Sequence, residues 1–165
     1  MVICYNFMSC KQTRNPPRSP EPAPIDSGPL TGYLGYALRR AQLKAYTDLI
    51  ATLEEVALSP GEFGVLTLIH QNPGVRPADV CKVLGILKTN FVPVLASLER
   101  RNLVERRNSR HDRRTLALSL TSAGVSLLER ACALQAEHEA RMAEKLGVRD
   151  RDRLLHLLNK LADSF

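Results

Sequence analysis

The densest chemistry in the sequence lies between Arg100 and Arg114. Seven arginines stand there against Glu105 and Asp112, a balance of +5 in fifteen residues. The whole chain carries only +6, so nearly all of its excess charge sits in one segment. Clustered positive charge is the electrostatic footprint expected for a polyanionic partner. A second group, Lys88, Thr89 and Asn90, precedes it. Asn can read adenine bidentately, and Lys can read guanine or a phosphate. A charged turn is by itself commonly just solvated, so the elements that carry these residues decide what they do.

Other chemistries find little support. There is no Ser-His-Asp set and no phosphate-cradling glycine loop. The four histidines (His70, His111, His138, His156) are scattered, so neither a metal nor another cofactor is expected. The pair Glu54-Glu55 reads as a solvated helix end rather than an acid–base couple. The four cysteines, Cys4, Cys10, Cys81 and Cys132, form no CxxC or paired spacing, which argues against a disulfide framework or zinc knuckle. No apolar run approaches the roughly 18 residues needed to span a bilayer. The opening "MVICYNFMSCK" lacks a basic n-region and a clear cleavage site. The expectation is a cytoplasmic, non-enzymatic protein with reduced thiols and no membrane partner.

The elements follow from periodicity and caps. Residues 1–28 include "RNPPRSPEPAPIDSGP", a Pro-rich tail with almost nothing to bury. From Pro29 to about Glu55, Leu34, Leu38, Ala41, Ala45, Leu49 and Leu53 recur at helical spacing. A second helix opens at Ser59-Pro60-Gly61-Glu62, a capping box with proline at the first helical position; "NPG" at 72–74 ends it. A short third helix covers Pro77 to Leu84, with Val80, Cys81 and Leu84 inward, and Gly85 supplies a left-handed stop. A fourth runs from about Lys88 to Arg101, with Phe91 or Val92, then Leu95 and Leu98, facing inward. Pro93 within it predicts a kink or a late start. Asn102 is the next-best residue to Gly for a left-handed cap. "LVERR" and "TLALSLT" then read as a hairpin around the basic tip "NSRHDRR". Two C-terminal helices follow, from about Ala123 to Leu146 and over "RDRDRLLHLLNKLADSF".

Two short helices joined by a tight turn, followed by a basic hairpin, describe a winged helix-turn-helix. The fold class is therefore mainly α with a small β-hairpin wing, a winged helix-turn-helix flanked by N- and C-terminal helices. A helix about 10–12 Å wide fits the major groove of DNA. A hairpin beside it can reach the adjacent minor groove, where a narrow channel focuses negative potential on an inserted arginine. The stretch from "LSPGEFGVLTLIHQNPG" through "LERRNLVERR" to "DRRTLALSLTSAG" resembles the MarR family of transcriptional regulators. The resemblance covers residues 33–165, and its most specific part is D-x-R followed by a strand ending in Leu-Thr and then Gly.

That resemblance implies a triangular homodimer on a pseudo-palindromic double-stranded DNA operator, often a repressor. Release by a small aromatic or lipophilic effector, or by thiol oxidation, is also implied. Arg114 matches the wing arginine that enters the minor groove, and Asp112 matches the acid that orients it. Arg107, Arg110 and Arg113 are then phosphate-contact candidates. Lys88, Thr89 and Asn90, with Ser97 also outward, belong to the recognition helix. Asn102 departs from the family's commoner Gly. No Cys lies between Pro29 and Glu55, where oxidation-sensing members carry theirs, which weakens that mechanism here.

The expected organisation is a tail (1–28), an N-terminal dimerisation helix (29–56), a winged helix-turn-helix (57–121) and C-terminal dimerisation helices (122–165). Leu154, Leu158, Leu161 and Phe165 form one stripe suited to intermolecular packing. Tyr33, Tyr36 and His70 are candidates for an effector pocket between the first helix and the DNA-binding lobe.

Overall fold

Local signals set where each helix starts and stops. The computed structural model describes residues 25–108 and 116–164. A short 3₁₀ turn, Gly28–Gly32, leads into α1 (Leu34–Glu54), α2 (Pro60–Gln71), α3 (Pro77–Leu84) and α4 (Lys88–Arg100). The strands β1 (Val104–Asn108) and β2 (Leu116–Leu120) follow, then α5 (Ser122–Leu146) and α6 (Val148–Ala162). The capping box is formed: Ser59 Oγ accepts the Glu62 N–H at 3.2 Å, and the Ser59 N–H donates to Glu62 Oε2 at 2.9 Å. Gly85 ends α3 at φ 63°, and Asn102 ends α4 at φ 53°. Thr121 caps α5, accepting the Gly124 N–H at 3.0 Å while its hydroxyl donates to the Asn102 carbonyl at 2.6 Å.

The core joins the C-terminal end of α1 to the helix-turn-helix. Leu53, Leu66, Ile69, Phe91, Leu98 and Leu118 are all fully buried. Each such side chain contributes roughly 1.5–3 kcal/mol relative to exposure. The hairpin is antiparallel, with Val104 opposite Leu120 and Arg106 opposite Leu118. It gains a third partner that the sequence does not advertise. Gly74 and Val75, between α2 and α3, exchange backbone hydrogen bonds with Leu118 at 2.8 and 2.9 Å. The wing base is thereby tied to the start of the helix-turn-helix.

Several expectations need adjusting. α1 does not run from Pro29, because the 3₁₀ turn there ends in an extended Tyr33. Its apolar stripe is only partly used: Leu53 is buried, whereas Leu34 is 65% exposed. α4 starts at Lys88 with Pro93 inside it, so a late start is not seen. Of the two inward alternatives in its first turn, Phe91 is buried and Val92 is exposed. Among the described residues no single helix is long and apolar enough to cross a membrane.

Candidate nucleic-acid interface

α4 lies beside β1, tied to it through Glu99 and Arg106. Lys88, Thr89 and Asn90 occupy the first turn of α4, and all three are exposed. They are held there because Phe91, Leu95 and Leu98 anchor the opposite face in the core. Leu87 is the N-cap position and supplies no side-chain cap, so the first N–H groups of α4 keep their affinity for an anion.

Ser97 is not directed outward. It is half-buried, and its hydroxyl donates to Glu62 Oε1 at 3.1 Å. The Arg101 guanidinium reaches the same oxygen at 3.4 Å. Glu62 thus caps α2 with one oxygen and holds α4 with the other. Ser97 is a structural tie within the lobe, because it sits on the α2 flank of α4 rather than on its crest.

Two described members of the arginine cluster, Arg101 and Arg106, are held by carboxylates. Arg106, on β1, forms a two-pronged pair with Glu99 of α4, with Nε to Oε1 and Nη2 to Oε2 at 2.8 Å. This neighbour holds the Arg106 guanidinium firmly charged and fixes the base of the hairpin against α4. Arg76, the N-cap residue of α3, is similarly paired with Asp79 at 2.7 and 2.9 Å. Arg100 is exposed at the end of α4. Arg107 lies in β1 opposite Ala117. Arg110, Asp112, Arg113 and Arg114 lie outside the described residues. A cleft of about 640 Å³ lies between α3, α4 and the hairpin, with Pro77, Cys81, Lys88, Val92, Arg106 and Leu116 on its walls.

Tyr33, Tyr36 and His70, the proposed effector residues, line neither of the two described grooves. His70 is exposed in the last turn of α2. Tyr33 is exposed, and Tyr36 lies under the Arg40 guanidinium at 5.8 Å. The large groove, about 960 Å³, lies elsewhere, between α1, α5 and α6. Leu38, Met142, Leu154 and Leu158 give it apolar walls; Arg39 and Arg151 also line it, Arg151 being paired with Glu139 and Asp152. Its floor is a polar network. His138, 2% exposed, hydrogen-bonds through Nδ1 to Asp48 Oδ2 at 2.8 Å. Arg141 donates to the same oxygen at 3.0 Å and to Thr52 Oγ1 at 2.6 Å. These contacts, His138 foremost, hold the Asp48 carboxyl below the usual carboxylate range. Sequence reasoning missed this network. The available signal was the pair of spacings Asp48/Thr52 and His138/Arg141, each one helical turn.

Leu154 and Leu158 remain 41% and 37% exposed, Leu161 is half-buried, and α6 buries no residue fully. Phe165 lies outside the described residues.

The helix pair, the clamped hairpin and the exposed first turn of α4 define a winged helix-turn-helix DNA-binding transcriptional regulator. The comparisons with known proteins agree. A model of the MarR family matches residues 58–115. The transcriptional repressor CouR, solved bound to a 23-mer DNA duplex, is 42% identical with a TM-score of 0.80, covering 85% of this chain and 99% of that one. CouR bound to p-coumaroyl-CoA gives 41%, 0.79, 86% and 100%. A Thauera aromatica protein named for transcriptional regulation of the hcr operon is 28% identical over 92% of each chain. The chain belongs to the MarR family.

Proposed function

We propose that this protein is a homodimeric, cytoplasmic repressor of a pseudo-palindromic operator. In each subunit α4 lies in the major groove and the hairpin tip reaches the neighbouring minor groove. Arg114 is the minor-groove residue, aimed by Asp112; Arg107, Arg110 and Arg113 neutralise phosphates. Lys88, Thr89 and Asn90 face base edges. The observation that carries this reading is the likeness to CouR over nearly its whole length in a DNA-bound structure, joined to a hairpin whose base is locked to α4 by Arg106 and Glu99.

The exposed leucines of α6 and the largely exposed N-terminal half of α1 form the subunit interface in this reading. Residues 29–56 and 122–165 are then the dimerisation segments, and 57–121 the DNA-binding segment. The effector is an amphipathic anion of the arylacyl-CoA class. The complex of CouR with p-coumaroyl-CoA supports that class, as does the groove's pairing of apolar walls with Arg39 in its lining. An effector at the subunit boundary would change the separation of the two α4 helices, which must match half-sites roughly 34 Å apart.

The test is titration of the protein against the DNA upstream of its own gene at several salt concentrations. Specific binding in the range of about 10⁻⁸ to 10⁻¹¹ M, falling steeply with salt, is expected. Addition of an arylacyl-CoA should release the duplex. Binding that is absent or indifferent to salt would sink the DNA reading; retention of the duplex at saturating thioester would sink the effector class alone.

A further inference from the structure

The outward crest of α4 is unusually apolar for a helix that reads DNA. At about 100° per residue, Phe91, Leu95 and Leu98 share one arc, and Thr89, Pro93, Ala96 and Arg100 share the arc opposite. The first three are buried and the other four exposed. Val92, 51% exposed, adjoins the crest on the side facing the hairpin, where it lines the cleft with Lys88 and Arg106. Ser97 is withdrawn to Glu62. Between Thr89 and Arg100 the crest therefore offers no side-chain hydrogen-bond donor or acceptor. It offers the isopropyl group of Val92, the ring of Pro93 and the methyl of Ala96.

Apolar side chains on a helix crest that enters the major groove are best matched there by a surface that is also apolar. In the major groove one base supplies such a surface: the C5-methyl group of thymine, which Ala and other apolar side chains contact. Ala96 is small enough to let the helix approach the base edges closely, and Pro93 presents a rigid flank. We propose that Val92, Pro93 and Ala96 read thymine C5-methyl groups, so that this protein specifies the middle of each half-site by apolar contact. The proposal rests on the reading that α4 enters the major groove. It leaves hydrogen-bond readout to Lys88, Thr89 and Asn90 at the helix start, and charge neutralisation to Arg100 and the hairpin.

The test uses the full chain and a duplex enriched by it from a random-sequence pool. Each thymine in the enriched half-site is replaced in turn by deoxyuridine, which removes only the methyl group. At one or two positions affinity should fall about three- to fourfold, the equivalent of one buried methyl, with the salt slope unchanged. A Val92→Ser variant, altered at an exposed site, should bind the parent duplex more weakly and lose that sensitivity at one position. Equal affinity for every uracil duplex by the unaltered protein would overturn the proposal while leaving DNA recognition intact. Failure to enrich any duplex would overturn both, and would be seen before any thymine is replaced.

Discussion

Glu62 Oε1 accepts the Ser97 hydroxyl at 3.1 Å across the junction of α2 and α4. One carboxylate thereby serves two helices, because its other oxygen closes the capping box on Ser59. Its side chain is only 13% exposed, so the bonds compete weakly with water. Replacing Ser59 by Ala removes the hydroxyl half of the cap and should cost about 1 kcal/mol. Glu62→Ala loses the cap and the tie to α4 together and should cost more, about 2 kcal/mol. Urea denaturation of the two variants decides the point; equal costs would mean that the Ser97 and Arg101 contacts contribute nothing.

Gly124 sits under the Leu103 carbonyl at the point where the hairpin feeds α5. A Cβ there would lie 2.0 Å from Leu103 O, and the obstacle is backbone, which cannot rotate aside. Gly124→Ala should destabilise the fold by about 3 kcal/mol or more, at or beyond the upper end for overpacked sites. A thermal midpoint within a degree or two of the parent would contradict this placement. The glycine of the Leu-Thr-Ser-Ala-Gly run is required by close packing rather than by φ.

This glycine shows what the sequence could and could not deliver. Its place in the motif was legible, as were the capping box at Ser59, the left-handed stops at Gly85 and Asn102, and the hairpin, because each is a local signal. Contacts between elements distant in the chain were not. Nothing local says that Ser97 turns to Glu62, that Val75 pairs with Leu118, or that Arg106 is held by Glu99. The choice between Phe91 and Val92 as the inward residue was also open, since both are apolar and a fraction of a turn apart. Nothing local places the large groove between α1, α5 and α6 either, since its walls come from three helices far apart in the chain.

Asp48 joins α1 to α5 through His138 and Arg141, and its carboxyl is held below its ordinary range. A depressed folded-state pKa adds stability that is present above the unfolded-state value and is lost as pH falls through the folded one. The loss should therefore begin near pH 4, about the ordinary Asp value, and grow below it. Asp48→Asn should be less stable than the parent at neutral pH, with the gap closing under acid. Denaturation midpoints from pH 7 down to pH 3 would reveal it; parallel curves would deny the linkage.

Arg106 and Arg114 should behave differently although both belong to the basic segment. Arg106 is committed to Glu99, whereas Arg114 is assigned to the minor groove. Arg114→Ala should weaken operator binding by about 1–3 kcal/mol while leaving the oligomeric state unchanged. A variant of a residue proposed to contact phosphate, such as Arg113→Ala, should flatten the salt dependence by about one unit of log–log slope. Arg106→Ala should leave that slope unchanged and weaken binding only through a loosened hairpin. Anisotropy titrations between 50 and 200 mM salt separate these cases; a flattened slope for Arg106→Ala would make it a phosphate ligand instead.

The leucines of α6 carry the final prediction. Leu154 and Leu158 are one turn apart, both keep more than a third of their surface exposed in the single chain, and α6 leaves no residue fully buried. An apolar stripe that the subunit's own core leaves uncovered is the mark of an interface between subunits. Leu158→Glu places a charge in that stripe without touching the buried core around Phe91 and Leu98. The variant should sediment as a monomer at concentrations where the parent is a dimer. Its affinity for a single half-site should persist, while binding to the two-fold operator falls by 10²-fold or more, because linked binding of two modules exceeds either alone by about 10²–10⁴. A Leu158→Glu protein that stays dimeric would move the interface off α6 and onto the exposed half of α1.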